Sequence, residues 1–238
     1  MSERLINILI TSFPKMLLAG IKVTVPLTIV SFLLSLVLGL LLALAQVAKI
    51  KVLEQVSRLY VWIFRGTPLI VQLFIIFFGL PSLGVNIAAF PAAVLAFGLN
   101  LAAYNAEVFR SAILAIPKGQ YEAAAMIGLT PVKTYIDVIL PQAFPIAFPS
   151  LFNNLISLLK DTSLAFSITV VEMFATAKQV ATRTYEPFAL YCEAALIYLI
   201  FSTALSSLQR YLEGKLVWSS EAEKVKKESG VNKPMLGR

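Results

Sequence analysis

Histidine is absent from this chain, cysteine occurs once, and charged residues make up only 14% of its 238 positions. Without histidine the chain has neither a Ser-His or Cys-His catalytic pair nor a Cys/His metal site. Cys192 has no second cysteine with which to form an internal disulfide, and its apolar surroundings favour a simple packing role. The sequence therefore predicts no catalytic residue, no metal and no cofactor in this chain.

The scarcity of charge also excludes a soluble globule. A soluble domain carries about 25% charged residues, whereas this chain is 58% hydrophobic and has too few polar residues to cover itself. We therefore predict an all-α integral membrane protein. The net charge of +7 does not indicate nucleic-acid binding, because the basic residues stand between and after apolar runs, as expected for orientation in a membrane.

Five apolar stretches are long enough to cross about 30 Å of hydrocarbon. We expect the fourth to be broken, or followed by a short half-helix, where Lys160 and Asp161 interrupt it. A transmembrane domain is predicted over residues 1–216, and a cytoplasmic, solvated polar tail over 217–238. The five predicted spans are residues 20–46, 59–80, 92–112, 147–171 and 190–210.

The distribution of lysine and arginine predicts how these spans are oriented. With the N-terminus outside, 14 basic residues, including Lys49 and Lys51, fall in the inner segments and 6 in the outer ones. This favours an outer N-terminus and an inner C-terminus, with residues 3–15 lying along the outer surface as an amphipathic segment.

A polar loop over residues 117–141 contains the most informative pattern. The segment 120–127 consists of good helix formers and carries Glu122 on a polar face, and Gly128 is placed to end that helix. Thr130 and Pro131 predict the cap and first position of a second short helix. Two such helices would form a rigid knob at the inner membrane surface.

This loop resembles the cytoplasmic signature of ABC importer permeases: Glu-Ala-Ala, three residues, Gly, nine residues, then an aliphatic-x-Leu-Pro. Val138 stands where isoleucine is usual. In that family the loop docks into a groove on an ATPase subunit and transmits its closure to the membrane helices. The resemblance implies an ATPase-coupling role for Gly119, Gln120, Glu122, Ala123, Ala124, Gly128, Leu140 and Pro141.

The resemblance extends over residues 15–217. Histidine-, glutamine-, arginine- and cystine-type permeases, which form the polar amino-acid subfamily, are similar at residues 65–72, 106–110 and 160–164. Cystine-type members are the most similar at residues 64–81, 150–172 and 205–216.

Membership in this family implies a type I ABC importer permease fold in the cytoplasmic membrane of a bacterium. It also implies a second permease chain, identical or closely related, and an extracytoplasmic solute-binding protein. No Gly-x4-Gly-Lys-Ser/Thr motif occurs in the sequence. ATP and magnesium are therefore expected on separate ABC ATPase subunits.

Polar residues within the spans are the candidates for a substrate path, because an isolated charge at mid-depth costs about 3 kcal/mol and needs a partner or a wet cavity. Lys160 and Asp161 point in different directions on a helix; in one arrangement Asp161 meets a substrate ammonium while Lys160 pairs elsewhere or snorkels outward. Glu107 and Arg110 can pair with each other, and the uncharged candidates serve equally well as contacts between helices. The predicted path residues are Asp161, Lys160, Ser163, Asn100, Tyr104, Glu107, Asn153, Asn154 and Gln72, and Arg65 and Arg110 are given structural or gating roles.

Two other classes of protein remain open at this point. An ion-coupled secondary amino-acid transporter would also carry charges at depth, but it usually has more spans and inverted repeats. A membrane anchor or sensor would not need broken spans. Uptake that depends on an intact ATPase partner separates the permease from both.

Overall fold

A computed structural model describes the backbone of residues 3–48 and 50–228, and the side chains of these residues as far as 215. Lys49, one of the predicted inner basic residues, and residues 229–238 of the predicted tail lie outside the described residues. All regular structure in the described part is helical. Four helices are long and apolar enough to cross a membrane, and a bent pair of helices makes a fifth.

The first helix, α1, is a single helical segment over Glu3–Val47, 45 residues. At 1.5 Å per residue it is about 68 Å long, roughly twice the thickness of the hydrocarbon layer. A π-helical turn, Gly20–Thr24, divides it. Residues 3–15 form the beginning of α1. Most of them are exposed or half-buried, whereas Ser12 and Met16, one turn later, are buried against the last two helices.

The predicted span over residues 59–80 is broken in the structure. Helix α2, Lys51–Gly66, and helix α3, Leu69–Leu83, meet at 104°. Pro68 explains the break, because its ring fixes φ and it has no N–H to continue the ladder. Helix α3 then loosens through a π turn at Ile75–Gly79 and ends where Gly84 adopts a φ of +83°.

Helix α4, Ala89–Leu114, packs along the second half of α1. Its buried face is rich in alanine, which lets two helices approach closely. At the crossing, a Cβ added to Gly39 would lie 2.8 Å from the Cβ of Asn105. Glycine is therefore required at position 39 for this approach.

The second half of the chain contains a short helix and three longer ones. Helix α5, Lys118–Met126, precedes α6, Pro131–Ile168. Helix α7, Met173–Thr184, follows, and α8 runs over Pro187–Glu228.

Two of these helices are longer than predicted. Helix α6 includes Pro145, which precedes the predicted fourth span (147–171), and Pro149, which lies within it. Membrane helices tolerate proline where neighbouring groups satisfy the freed carbonyls. Its last part, Thr162–Ile168, is a 3₁₀ helix and takes the place of the expected half-helix. Helix α8 continues through residues 217–228, the beginning of the predicted polar tail.

Candidate functional site

The inner loop forms a protruding surface, here called the knob, from α5 and the start of α6 up to Pro141. Met126 and Ile127 are 88% and 76% exposed at the end of α5, and Glu122 is exposed on the same short helix. Gly128 ends the helix with a φ of +77°, a conformation that glycine adopts without steric cost. Large apolar side chains in such exposed positions are typical of a surface that binds a partner.

The back of the knob is attached to the membrane helices. Tyr121 donates a hydrogen bond to the carbonyl of Ile113 at 3.3 Å, and its ring lies edge-on to Tyr135. Gln142 donates to the Oε1 of Gln120 at 3.1 Å. These contacts join α5 to α4 and α6, so a force on the knob is carried to both helices.

The other predicted coupling residues also lie on the knob. The Oγ1 of Thr130 accepts from the backbone N–H of Lys133, and Pro131 follows it, which is the predicted cap. Ala124 is the buried contact of α5, and Leu140 is half-buried. The exposed members are Gly119, Gln120, Ala123 and Pro141.

A cavity of about 550 Å³ lies between α6, α7 and α8. Lys160 and Ser163 line it together with Ser202 and a wall of aromatic rings. Lys160 has no carboxylate within salt-bridge distance among the described residues. The cavity thus offers a free ammonium, hydroxyl groups and aromatic faces to a small zwitterion. The aromatic rings are those of Phe174, Tyr191 and Tyr198.

The predicted pair Lys160–Asp161 divides as expected from adjacent positions on a helix. Both residues are exposed in the chain, but only Lys160 lines this cavity.

Gln72 and Asn100 meet at the break between α2 and α3. The Nε2 of Gln72 donates to the carbonyl of Phe64 at 2.9 Å and to Thr67, and Asn100 donates to the same carbonyl at 3.2 Å and to Gln72. Their amide groups therefore satisfy the backbone that the break leaves open.

Tyr104 lies close to the same break, where the guanidinium of Arg65 is 5.3 Å from the centre of its ring. Glu107 and Arg110 form the expected ion pair, with Nη2 and Oε2 2.8 Å apart. Arg65 thus pairs with Tyr104, and Glu107 pairs with Arg110.

The two neighbouring asparagines of α6 have different contacts. Asn154 donates to Asn105 at 2.8 Å, and Asn105 donates to Ser35 at 2.9 Å, so a polar chain links α6, α4 and α1. Asn153 accepts from Gln209 of α8 at 3.3 Å. The structure thus distributes the predicted path residues over three places: the cavity, the break and the helix contacts.

Several residues at these places were not predicted from the sequence. Tyr191, Tyr198 and Ser202 follow one another at intervals of seven and four on α8, a helical spacing that places polar side chains on one face. That spacing is a signal in the sequence. Asn105 carries no such signal, because its partners Ser35 and Asn154 come from distant segments. Glu172 caps α7 locally, but Tyr198, its partner on α8, also comes from a distant segment.

Glu172 is fully buried in the connection between α6 and α7. Burial raises the pKa of its carboxyl to about 7, although hydrogen bonds from the backbone N–H groups of Phe174 and Ala175 and from Tyr198 and Thr24 oppose the shift. The group is therefore a buried acid beside the cavity rather than a surface carboxylate.

Comparison with known proteins gives the following similarities. The family described as binding-protein-dependent transport system inner membrane component matches residues 35–218. The L-cystine transport system permease protein TcyB of Bacillus subtilis (strain 168) is 48% identical over 206 residues, 86% of this chain and 88% of that protein. The probable amino-acid permease protein YxeN of the same organism is 40% identical over 208 residues, 86% of this chain and 92% of that protein.

Among solved structures, the crystal structure of an amino acid ABC transporter with histidines is similar, with a TM-score of 0.81. The identity is 32%, over 90% of this chain and 100% of that chain.

Proposed function

Because this chain belongs to the family of binding-protein-dependent transport system inner membrane components, we propose that it moves L-cystine across the membrane when an ATPase subunit drives the knob. The chain is the permease subunit of an amino-acid ABC importer and a multi-pass protein of the cytoplasmic membrane. Cystine as substrate and the knob as coupling element are the proposed parts.

The exposure of Met126 and Ile127 beside Glu122 is the observation that carries the coupling proposal. Exposing two large apolar side chains to water costs free energy, which is recovered when a partner protein covers them. The partner is an ABC ATPase subunit, which binds ATP and magnesium. The attachments of the back of the knob to α4 and α6 give its movement a route into the membrane helices.

Substitution of Gly128 by aspartate tests this proposal. Gly128→Asp places a charge on the knob, and we expect uptake and substrate-stimulated ATP hydrolysis to fall at least ten-fold while the permease still inserts. Gly84→Asp is the matched control, because Gly84 also has a positive φ, and a Cβ at either glycine meets nothing within 4 Å. Normal uptake by Gly128→Asp would show that the knob does not dock.

The cavity between α6, α7 and α8 supports an amino-acid substrate. Lys160 is placed to bind a carboxylate, the hydroxyl of Ser163 to accept from an ammonium, and the aromatic rings to contact the rest of the molecule. Sulfur atoms make favourable contacts with aromatic rings, which supports cystine, as does the identity to a cystine permease.

A competition panel in reconstituted vesicles tests the choice of substrate. Labelled L-cystine is taken up by the complete complex in the presence of excess unlabelled arginine, histidine, glutamine or cystine. We expect only unlabelled cystine to compete strongly. Strong competition by one of the other three would assign that amino acid instead.

A second permease chain is required by the polar surface that α6 and α8 present. Asn153, Asp161, Thr203 and Ser207 are exposed on these helices, and such groups are costly against lipid. They therefore face a wet path between two permease chains. An extracytoplasmic solute-binding protein delivers the substrate to that path, with the N-terminus outside and the C-terminus inside.

The ion-coupled alternative makes an opposite prediction. A secondary transporter would take up substrate in vesicles that have an ion gradient and no ATP. We expect no uptake under those conditions, and loss of uptake when the ATPase subunit carries a substitution in its nucleotide site.

A further inference from the structure

Glu172 receives hydrogen bonds from two directions. Its Oε1 accepts from the N–H of Ala175 at 2.6 Å, and its Oε2 accepts from the N–H of Phe174 at 2.8 Å and from the hydroxyl of Tyr198 at 3.0 Å. The first two bonds cap α7, and the third crosses to α8. One buried carboxyl therefore joins two helices.

The connection to α1 lies beside this carboxyl. The N–H of Met173, the residue after Glu172, donates to the Oγ1 of Thr24 at 3.2 Å, and Thr24 is the last residue of the π turn in α1. A Cβ added to Gly20, at the other end of that turn, would lie 2.9 Å from the ring of Phe201 and 3.3 Å from the sulfur of Met173. The start of α7 is thus closely packed and held on both sides.

A shorter capping residue could not both cap α7 and reach the hydroxyl of Tyr198. Serine, threonine or aspartate at this position would cap α7 through one or two N–H groups. None has the extra methylene that brings the carboxyl of Glu172 to the hydroxyl of Tyr198. The need for both reach and two accepting oxygens accounts for glutamate where a smaller cap is usual.

Two of the groups held by Glu172 belong to walls of the cavity. Phe174 and Tyr198 both line it, from α7 and α8 respectively. The hydroxyl of Tyr198 donates to Glu172, which leaves the ring as the part of this side chain that is free to contact a substrate.

We propose that Glu172 is a positioning residue that fixes the rings of Tyr198 and Phe174 as the aromatic wall of the substrate cavity, and so sets the affinity of the permease for its amino acid. The inference rests on the proposed function of that cavity. Glu172 itself does not touch the substrate; it acts through Tyr198.

The test measures uptake by the complete complex of permease, ATPase and binding protein in vesicles. Labelled cystine, arginine, histidine and glutamine are first offered to the wild type, and the transported amino acid is used thereafter. Tyr198→Phe removes only the hydroxyl, and Glu172→Gln removes one accepting oxygen. We expect each to raise the half-saturating substrate concentration about three- to ten-fold, with the maximal rate retained.

The double variant separates positioning from independent damage. Glu172→Asp keeps a carboxyl and the cap but not the reach, so it breaks the same bond as Tyr198→Phe and should resemble it. The double variant, Glu172→Asp with Tyr198→Phe, should therefore raise the half-saturating concentration no further than the stronger single variant does.

Tyr60→Phe is the matched control for loss of a hydroxyl bonded between helices. Tyr60 donates to the carbonyl of Leu99 at 2.7 Å between α2 and α4, away from the cavity, and its substitution should leave the half-saturating concentration unchanged.

Failure of the inference and failure of the proposed function give different results. Unchanged half-saturation in Tyr198→Phe overturns the inference alone, as does a fall only in maximal rate. A wild-type complex that transports none of the four amino acids overturns the proposed function and the inference with it.

Discussion

The carboxyl of Glu172 makes the stability of this chain depend on pH. The groups that face it are the backbone N–H groups at the start of α7 and the hydroxyls of Tyr198 and Thr24, and no cation pairs with it among the described residues. Burial raises its pKa from 4.5 to about 7, so the fold prefers the protonated form. Its contribution to stability is complete below pH 4.5 and is lost as the pH rises through 7.

We therefore expect Glu172→Gln to remove a pH dependence. The thermal midpoint of the wild type in detergent should fall, relative to that of the variant, between pH 5 and pH 8. The corresponding change in the free energy of unfolding is about 3 kcal/mol. Parallel curves for the two proteins across this range would contradict the assignment of the raised pKa to Glu172.

Gly39 lies where a single added carbon atom, a Cβ, would disturb the packing of α1 against α4. A Cβ there would approach the Cβ of Asn105 to 2.8 Å and the backbone oxygen of Ala102 to 3.1 Å, and neither atom can move without shifting a helix. We expect Gly39→Ala to lower the free energy of unfolding by about 1–3 kcal/mol. Gly79→Ala, whose added Cβ has its nearest neighbour at 3.8 Å, is the control in a thermal-stability assay. Equal midpoints would contradict the close approach.

Local sequence was sufficient to predict residues whose role depends on their immediate neighbours. The cap formed by Thr130 and Pro131 and the end of α5 at Gly128 are confirmed, because turn chemistry is encoded within a few positions. Asn105 was not predicted, since its partners lie 49 and 70 residues away in the chain, and the contact of Glu172 with Tyr198 was not predicted because it spans 26 residues. No short pattern encodes such contacts.

At the scale of the element, the break between α2 and α3 is the feature that apolar composition concealed. Residues 66–106 carry no charge, so residues 59–80 were predicted as one straight span, whereas Pro68 and the extended conformation of Thr67 interrupt it. Helix α6, by contrast, continues through Pro145, ahead of the predicted start of the fourth span, and through Pro149 within it. Proline marks a missing N–H, and packing decides whether the helix continues past it.

The hydrogen bonds of Gln72 stabilise the backbone at the break between α2 and α3, and a substitution at this position tests that contribution. Gln72→Leu removes the donor to Thr67 and one of the two donors to the carbonyl of Phe64. It also takes away one of the two acceptors of Asn100, at a total cost of about 2 kcal/mol. We expect a lower thermal midpoint and less protein in the membrane. Gln179→Leu, on the exposed face of α7, should behave as wild type. If the two variants are equally stable, the hydrogen bonds at the break do not contribute.

At the scale of the whole molecule, the exposed surfaces of α1 and α8 bear on the proposed wet path. Helix α1 presents large apolar side chains, among them Leu33 and Val37, as expected of a lipid-facing surface. Helix α8 also exposes apolar side chains such as Leu199, but the hydroxyls of Thr203 and Ser207 are exposed beside them. These hydroxyls support the proposal that the path runs along α8.

Thiol labelling distinguishes these surfaces. In a Cys192→Ser background, cysteine at position 203 or 207 should react with a water-soluble maleimide in membranes, because the thiolate forms only in water. Cysteine at position 33 or 37 should react at least ten-fold more slowly. Comparable rates at all four positions would contradict the proposed path.

The π turn in α1 has a consequence for how this chain tolerates insertions and deletions. An α-helix advances about 100° per residue, and the wider turn at Gly20–Thr24 accommodates one additional residue by unwinding through a similar angle. Removing one residue from this turn would therefore restore a regular helix and leave the residues on either side facing as before, so that Ser12 keeps its hydrogen bond to Glu193 and Met16 stays in the core that it shares with α7 and α8. Removing one residue between this turn and Met16 would instead rotate Ser12 and Met16 by about 100° and separate them from these partners. The π turn thus makes α1 tolerant of a one-residue deletion at this point, which the regular helix beside it is not.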